Sequence, residues 1–249
     1  MKIPTILNHP EFLDAPLNYK WEDKTSTFYY VDAHNENIGK ALWSLNHKAT
    51  FGVATALAEW IFWRLSAHIK PIMINQSLES QWAGIIDKHY LIDWNFDKEY
   101  QSNPVQGPIW VMLKCIQYPR EAYVNGYIFI NKKIPNLAML ARHISPDKKL
   151  FDEWLSHILK KSAHYFPAQY SYEEILKDLK NHEGDIYNST REPAIPRAFF
   201  WDLDYDFDKA DNHKIINEFL SSLNYQDNQF LIKPRQMIEE GFMGTPYKY

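Results

Sequence analysis

The chain has 249 residues, of which 45% are hydrophobic and 23% are charged, which is typical of a globular protein. This composition excludes wholesale disorder, collagen-like repeats and a multi-span membrane protein. The single cysteine, Cys115, excludes an intrachain disulfide framework and a cysteine-rich metal site, and it indicates a reducing compartment. With 27 Lys and Arg against 31 Asp and Glu, the net charge is −4, which argues against direct binding of nucleic acid.

Helical periodicity dominates the sequence, and capping residues or prolines mark many of the helix boundaries. A proline in the first turn suits a helix, because the N–H that it lacks would have had no partner there. No alternating pattern typical of strands is present. The pattern predicts helices over 39–70, 77–91, 108–118, 119–131, 135–144, 148–166, 171–184, 211–223 and 234–241. We therefore predict an all-α, multi-helix bundle that forms a single domain over 1–249.

The most apolar stretch, 51–69, is predicted to be a buried core helix and not a membrane span. Glu59 and Arg64 interrupt it, and each charge would cost about 2.5–3.5 kcal/mol at the centre of a bilayer. The first residues lack the apolar core of a secretory signal, and Glu11 and Asp14 follow soon after. We therefore expect a cytoplasmic protein without a membrane partner.

Two polar segments interrupt the helical pattern. Residues 93–106 contain Asn103-Pro104 and are predicted to form a surface loop. Residues 185–208 contain Pro193 and Pro196 and are predicted to form an extended linker or arm, which leads to C-terminal helices within 211–240. Loops of that length are uncommon in compact domains unless they are functional, so this arm is the first indication of where function lies.

The sequence carries none of the strong catalytic signatures. It has no glycine-rich phosphate loop, no His-Glu-x-x-His and no serine nucleophile elbow. Cys115 lies in an apolar helical stretch and is interpreted as a buried, inert thiol. His157 and His164 fall on or near the charged side of one predicted helix and are interpreted as solvated. We therefore predict no catalytic residue, no metal site and no cofactor.

One acidic, aromatic segment departs from the background, at 199–211. Its five aspartates and one lysine carry a net charge of −4, which equals the charge of the whole chain. If the segment is extended, alternate side chains point to opposite faces. Four carboxylates then share one face, while Trp201, Leu203, Tyr205 and Phe207 anchor the other face on the bundle. The predicted partner-binding residues are Asp202, Asp204, Asp206, Asp208, Trp201 and Tyr205.

Several interpretations of this segment compete. A calcium loop is disfavoured, because in the register from Asp204 the glycine position holds Lys209 and the terminal glutamate position holds Ile215. The register from Asp202 fails in the same way. A catalytic carboxylate pair needs two groups roughly 5–10 Å apart across a cleft, and nothing in the sequence identifies the opposing wall. An interaction surface for a basic partner and a merely solvated acidic loop both stay open.

In general character, the chain is similar to the immunity proteins of bacterial polymorphic-toxin and type VI secretion systems. The similarity lies in the helical, aromatic-rich, mildly acidic sequence, in the ending EEGFMGTPYKY and in the stretch YPREA at 118–122. It implies a non-catalytic protein that binds a cognate toxin and occludes its active site, and the acidic segment suits a basic toxin such as a nuclease. A small hydrolase-like enzyme with an acidic, aromatic cleft and a helical interaction scaffold remain as alternatives.

Overall fold

A computed structural model describes residues 1–70, 72–92, 94–96, 100, 102–169 and 187–249. Within these residues the fold is all-α, as predicted, with no strand and two isolated β-bridges. The helices are α1 (Pro10–Leu13), α2 (Asp23–Thr27), α3 (Glu36–Trp43), α4 (His47–Leu65), α5 (Ile72–Ile86), α6 (Gln106–Asn125), α7 (Ile134–Ile144), α8 (Lys148–Tyr165), α9 (Ala198–Trp201), α10 (Asn212–Ser222) and α11 (Pro234–Glu239). The helix predicted at 171–184 lies outside the described residues.

Helix α4 is the centre of the bundle. Helices α5, α6 and α7 pack around it, and α1, α8 and α9 also contact it. All of its residues except Trp63 are buried, because a helix that is apolar on every side is stable only inside a protein. The buried core helix predicted from 51–69 is therefore confirmed over its α4 part. No helix in the described part of the chain has the length and apolar character needed to cross a membrane.

The single long helix predicted over 39–70 is wrong at its start, because residues 44–46 are not helical and separate α3 from α4. The backbone N–H of Asn46 donates to the carbonyl of Phe166 at 2.9 Å, and the N–H of Ala168 donates to Ser44 at 2.8 Å. The side chain of Asn46 then caps α4 by accepting from Ala49 at 2.8 Å. Contacts with a segment 120 positions away thus interrupt a periodicity that is continuous in sequence.

The division of 108–131 into two helices at Pro119 is also wrong. Helix α6 runs unbroken through Pro119 and ends at Gly126, whose φ of 72° stops it. Proline removes one backbone hydrogen bond, but Cys115, Ile116 and Tyr123 on either side of it are buried in the core. Packing on both sides of the proline therefore keeps the helix continuous.

The C-terminal helices are built on a second, smaller apolar cluster. Asp211 caps α10 by accepting from the N–H of Lys214 at 3.0 Å, as the sequence predicts. Helix α11 begins at Pro234, and Gly241 follows it with a φ of 91°. The buried members of this cluster are Ala83, Ile86, Tyr90, Ala194, Ile216, Leu220, Leu223, Leu231, Ile232, Met237 and Tyr247. The single domain over 1–249 stays a prediction.

Candidate functional site

The segment at 187–208 contains the predicted partner-binding residues. The buried carboxylate of Glu59 anchors this segment on α4. This side chain has no exposed surface. Its Oε2 accepts from the indole N–H of Trp82 at 2.8 Å and of Trp201 at 3.0 Å, and its Oε1 accepts from Trp63 at 2.8 Å. Arg197 completes the set, with Nε donating to Oε2 at 3.0 Å and Nη2 donating to Oε1. We call this arrangement the Glu59 anchor.

Aromatic packing positions the tryptophan of the anchor. The ring of Trp201 stacks on Trp154 with centroids 5.1 Å apart and planes 17° apart. The indole N–H of Trp154 donates to the carbonyl of Phe200 at 3.1 Å, so α8 holds the backbone of α9 directly. Gly52 of α4 leaves the space that the Phe200 ring occupies. The apolar residues of α9 therefore fold inward and leave the following residues at the surface.

A second carboxylate, that of Glu192, anchors the same segment at the N-terminus of α4. It accepts from the backbone N–H of His47 at 2.9 Å and of Lys48 at 2.7 Å, where the helix macrodipole favours a negative charge. The ammonium group of Lys48 donates to the carbonyls of Ile86 and Glu192 at 2.8 and 2.9 Å. The ring of His47 stacks on Tyr187 with centroids 3.7 Å apart. The four groups form a buried contact between the segment and α4.

Burial dominates the acid–base behaviour of this second contact. It lowers the pKa of His47 to about 4 and that of Lys48 to about 8. It also raises the pKa of Glu192, although hydrogen bonds from Tyr187 and from the two backbone N–H groups act in the opposite direction. His47 is therefore a neutral ring at physiological pH, and its Nε2 is 3.2 Å from the carbonyl of Tyr127.

Residues 202–208, which we call the acidic turn, hold the predicted partner-binding carboxylates at the surface. Asp202, Asp204 and Asp208 are exposed, and Asp206 is half-buried. The two aromatic residues of the predicted set lie elsewhere: Trp201 is in the core, and Tyr205 is 9% exposed. Both side chains therefore lie beneath the predicted binding surface. The hydroxyl group of Tyr205 donates to the Oδ1 atom of Asn212 at 2.6 Å.

Within the described residues from 187 onward, the arm predicted over 185–208 contains short helices and turns and is not extended throughout. A 3₁₀ turn spans Ser189–Arg191, α9 spans Ala198–Trp201, and turns follow. Asp202 accepts from the N–H of Asp204 at 3.0 Å and Asp206 accepts from the N–H of Asp208 at 3.2 Å, so these side chains bend the backbone locally. No strand among the described residues pairs with the segment to keep it straight.

The turns also change the predicted division into two faces. Leu203, predicted to lie on the inner apolar face, is 39% exposed, whereas Phe207 packs against the core beside Phe166 and Phe199. The inner side of the acidic turn is therefore made by Tyr205 and Phe207 alone. The outer side combines the carboxylates with one exposed leucine, because the turn brings Leu203 round to the surface.

Two lysines partly neutralise the acidic turn. Lys209 pairs with Asp206 at 2.7 Å, and its hydrogen bond lowers the pKa of that carboxyl group. The ammonium group of Lys161 donates to the carbonyl of Asp202 at 2.8 Å and lies over the Phe199 ring, 4.7 Å from its centroid. Burial lowers the pKa of Lys161, and the nearby aspartates oppose this shift. Lys161 therefore holds the backbone of the turn from α8.

The other residues that the sequence analysis singled out lie apart from this site. Cys115 is fully buried, and burial raises the pKa of its thiol to about 12, which agrees with the inert thiol expected. His157 and His164 are exposed on α8. In the described ranges, no group of three or more His, Cys, Asp and Glu side chains is arranged to hold a metal ion.

Sequence reasoning did not identify the residues that hold the acidic turn in place. The sequence distinguishes Glu59 only as a charge inside an apolar helix, and it does not distinguish Glu192 or Arg197 at all. The available signal was the charge itself, because a carboxylate inside a core helix requires donors from elsewhere in the fold. The sequence provides no indication that the partners are an arginine 138 positions away and three tryptophans.

Comparisons with known proteins do not place the chain in a family. A scan against protein-family models, a search of curated proteins and a search of solved structures each returned no match.

Proposed function

We propose that this protein is a cytoplasmic immunity protein, which binds a basic protein toxin through the acidic turn and occludes its active site. One observation carries the proposal: the acidic turn presents exposed carboxylates on a backbone that is held by the buried core. Trp154, Lys161 and Asn212 donate hydrogen bonds to the carbonyls of residues 200, 202 and 207 at 3.1, 2.8 and 2.7 Å. A surface held in this way loses little conformational freedom when a partner binds.

The charges of the acidic turn support a basic partner. Within the described residues, the carboxylates of Asp204 and Asp208 form no ion pair, whereas Asp206 pairs with Lys209. Asp204 and Asp208 are therefore available to a cationic partner surface. Exposed charges of this kind act mainly on the association rate and on partner choice, since water screens them in the final complex.

The exposed Leu203 adds an apolar side chain to the same surface. It lies between Asp202 and Asp204, and 39% of it is exposed. Interfaces commonly surround a small apolar contact with polar groups that exclude water. A basic toxin with an apolar side chain among its cationic residues would complement this arrangement.

The test begins with a search of the neighbouring genes for one that encodes a toxin domain. It then measures association with the product of that gene by surface plasmon resonance at several salt concentrations. The double variant Asp204→Asn and Asp208→Asn removes two charges without touching the carboxylates that form the turns. We expect its association rate to fall at least severalfold, and the effect to fade well above 0.15 M salt, where the Debye length is about 8 Å. Circular dichroism verifies that the variant is folded.

The matched control is the double variant Glu218→Gln and Glu239→Gln. These two side chains are exposed on α10 and α11, and their substitution changes the net charge by the same amount. We expect the control to associate at nearly the rate of the unmodified protein. Absence of a complex would contradict the proposed function. An equal loss of rate in both variants would show that the acidic turn is not the contact surface.

A further inference from the structure

An apolar cavity lies between the first turns of α5 and the first half of α6. Its volume is about 940 Å³, and residues 94–96 and Phe230 also line it. None of its described lining residues belongs to the acidic turn. Cavities of about 300–1,000 Å³ commonly hold small molecules, whereas a stable protein interface needs a much larger contact area. The size and the concave shape therefore favour a small molecule over a protein partner.

Aromatic rings form one part of the cavity wall. The ring of Trp94 contacts those of Phe96 and Phe230, with centroids 6.0 and 5.1 Å away. Phe96 and Phe230 are buried, and the ammonium group of Lys114 on α6 donates to the carbonyl of Phe96 at 2.6 Å. This ammonium group also lies 5.5 Å from the centroid of the Phe96 ring. Because packing and Lys114 hold these rings in place, a ligand that binds them loses little affinity to ordering of the wall.

Two aliphatic side chains of α5 line the cavity and are nevertheless exposed. Ile72 is 70% exposed and Met73 is 43% exposed. Single exposed apolar residues are common on protein surfaces, but apolar surface that continues into a concave site is typical of ligand binding. Removal of this surface from water is the main favourable contribution that a ligand could gain here. A flexible alkyl chain can cover aliphatic and aromatic walls together.

The charge of the described lining residues is positive. Lys70 is exposed and forms no ion pair, and none of the described lining residues is acidic. Ile72 and Met73 belong to the first turn of α5, where the helix macrodipole also contributes a positive potential. A negatively charged head group therefore suits this end of the cavity.

The acidic side chains of the surrounding described elements do not offset this charge. Glu79, the acidic residue of α5, pairs with the amino group of Met1 at 2.9 Å. Glu121, the acidic residue of α6, lies about 12 Å along the helix from the last α6 residue that lines the cavity. Asp227, which precedes Phe230, accepts from the side chain of Asn224 at 2.7 Å.

We propose that this cavity binds a medium-chain fatty acid, with its alkyl chain against the apolar walls and its carboxylate at Lys70. An ion pair with an exposed lysine contributes little, because water screens it, so the chain supplies most of the affinity and Lys70 orients the ligand. The site is separate from the acidic turn. It adds a small-molecule ligand to the proposed toxin binding and does not depend on it.

The test is isothermal titration calorimetry with sodium decanoate below its critical micelle concentration, at constant ionic strength. We expect saturable one-to-one binding. Octanoate should bind about tenfold more weakly, because each buried methylene group contributes about 0.8 kcal/mol and this ligand has two fewer. Decyltrimethylammonium has a ten-carbon chain and a cationic head group, and it should bind severalfold more weakly than decanoate because Lys70 repels it. This comparison tests the sign of the charge at the cavity directly.

A pair of matched variants tests the location of the site. Met73→Asp places a carboxylate in the cavity and should weaken decanoate binding at least tenfold, while an acidic residue in the first turn of a helix is compatible with folding. Met243→Asp is the control, because Met243 is 97% exposed and does not line the cavity. Lys70→Gln should reduce the preference for decanoate over decyltrimethylammonium. Circular dichroism verifies that each variant is folded.

Four results would each overturn the proposal. They are a titration without saturable heat, octanoate that binds as tightly as decanoate, decyltrimethylammonium that binds as tightly as decanoate, and equal weakening of decanoate binding in Met73→Asp and Met243→Asp.

Discussion

Substitution of Glu59 by glutamine tests the anchor on which the acidic turn depends. The two side chains have nearly the same size, so the substitution creates no cavity and changes only charge and hydrogen bonding. The carboxylate accepts two N–H groups at Oε1 and three at Oε2. The glutamine amide keeps one acceptor oxygen and places an NH₂ donor where the other oxygen was.

The expected cost follows from counting donors that lose their acceptor. If the NH₂ group replaces Oε1, Trp63 and one N–H of Arg197 lose theirs, and if it replaces Oε2, three donors do. Each buried donor without a partner costs about 1–3 kcal/mol, and Arg197 also loses its counter-charge. We expect a loss of about 4 kcal/mol, a large share of the roughly 5–15 kcal/mol that holds a typical protein folded.

Urea denaturation at neutral pH, followed by tryptophan fluorescence and by far-ultraviolet circular dichroism, measures this loss. The matched control is Glu153→Gln. Glu153 is exposed on α8 and lies 3.7 Å from Lys149, so its substitution should cost less than about 0.5 kcal/mol. The loss of stability in Arg197→Gln should lie between those of Glu59→Gln and Glu153→Gln, because the Glu59 carboxylate then keeps its three indole donors. A loss below about 1 kcal/mol for Glu59→Gln would refute the anchor.

Two further predictions concern α4. Gly52→Ala should destabilise the protein by about 1–3 kcal/mol in urea denaturation, because the new Cβ would overlap the ring of Phe200, whereas Gly39→Ala, with nothing within 4 Å, should not destabilise it. The pKa of His47 is about 4 in the folded protein, whereas that of an ordinary histidine, as in the unfolded chain, is 6.5. As the pH falls, the unfolded chain therefore binds the proton first. Between about pH 7.5 and pH 5, this difference should lower the free energy of unfolding by about 2 kcal/mol. In urea denaturation at several pH values, His47→Gln should reduce this pH dependence, whereas substitution of the exposed His34 by glutamine should not. If the free energy of unfolding changed equally with pH in the unmodified protein and in both variants, His47 would not be the group responsible.

The helical class and much of the core could be predicted from local pattern alone. On α8 the stripe of Phe151, Trp154 and Ile158 is buried as its spacing predicts, because the period of an α-helix places those positions on one side. Asp211 caps α10 for a similar reason, since a cap and its N–H partner are three residues apart. Cys115 is buried because Val111 and Met112, four and three positions before it on the same side of the helix, are apolar and buried. In each case the interaction is local, so the pattern is visible in a short stretch.

The interruption after α3 and the continuity of α6 through Pro119 depend on packing between distant segments. Local propensity favours one long helix in the first case and a break in the second. The segment at 166–168 supplies hydrogen bonds that end α3, and the buried surroundings of Pro119 outweigh its lost hydrogen bond. A helix boundary is therefore set by the sum of local preference and tertiary contact, and only the first is present in a single segment.

The acidic turn shows the same limit at the candidate site. Its charge and exposed carboxylates follow from composition, but its bent shape comes from Asp202 and Asp206, which accept from their own backbone in the absence of a partner strand. Glu59 must have donors because it is buried, yet which donors reach it depends on how α4, α5 and α9 meet.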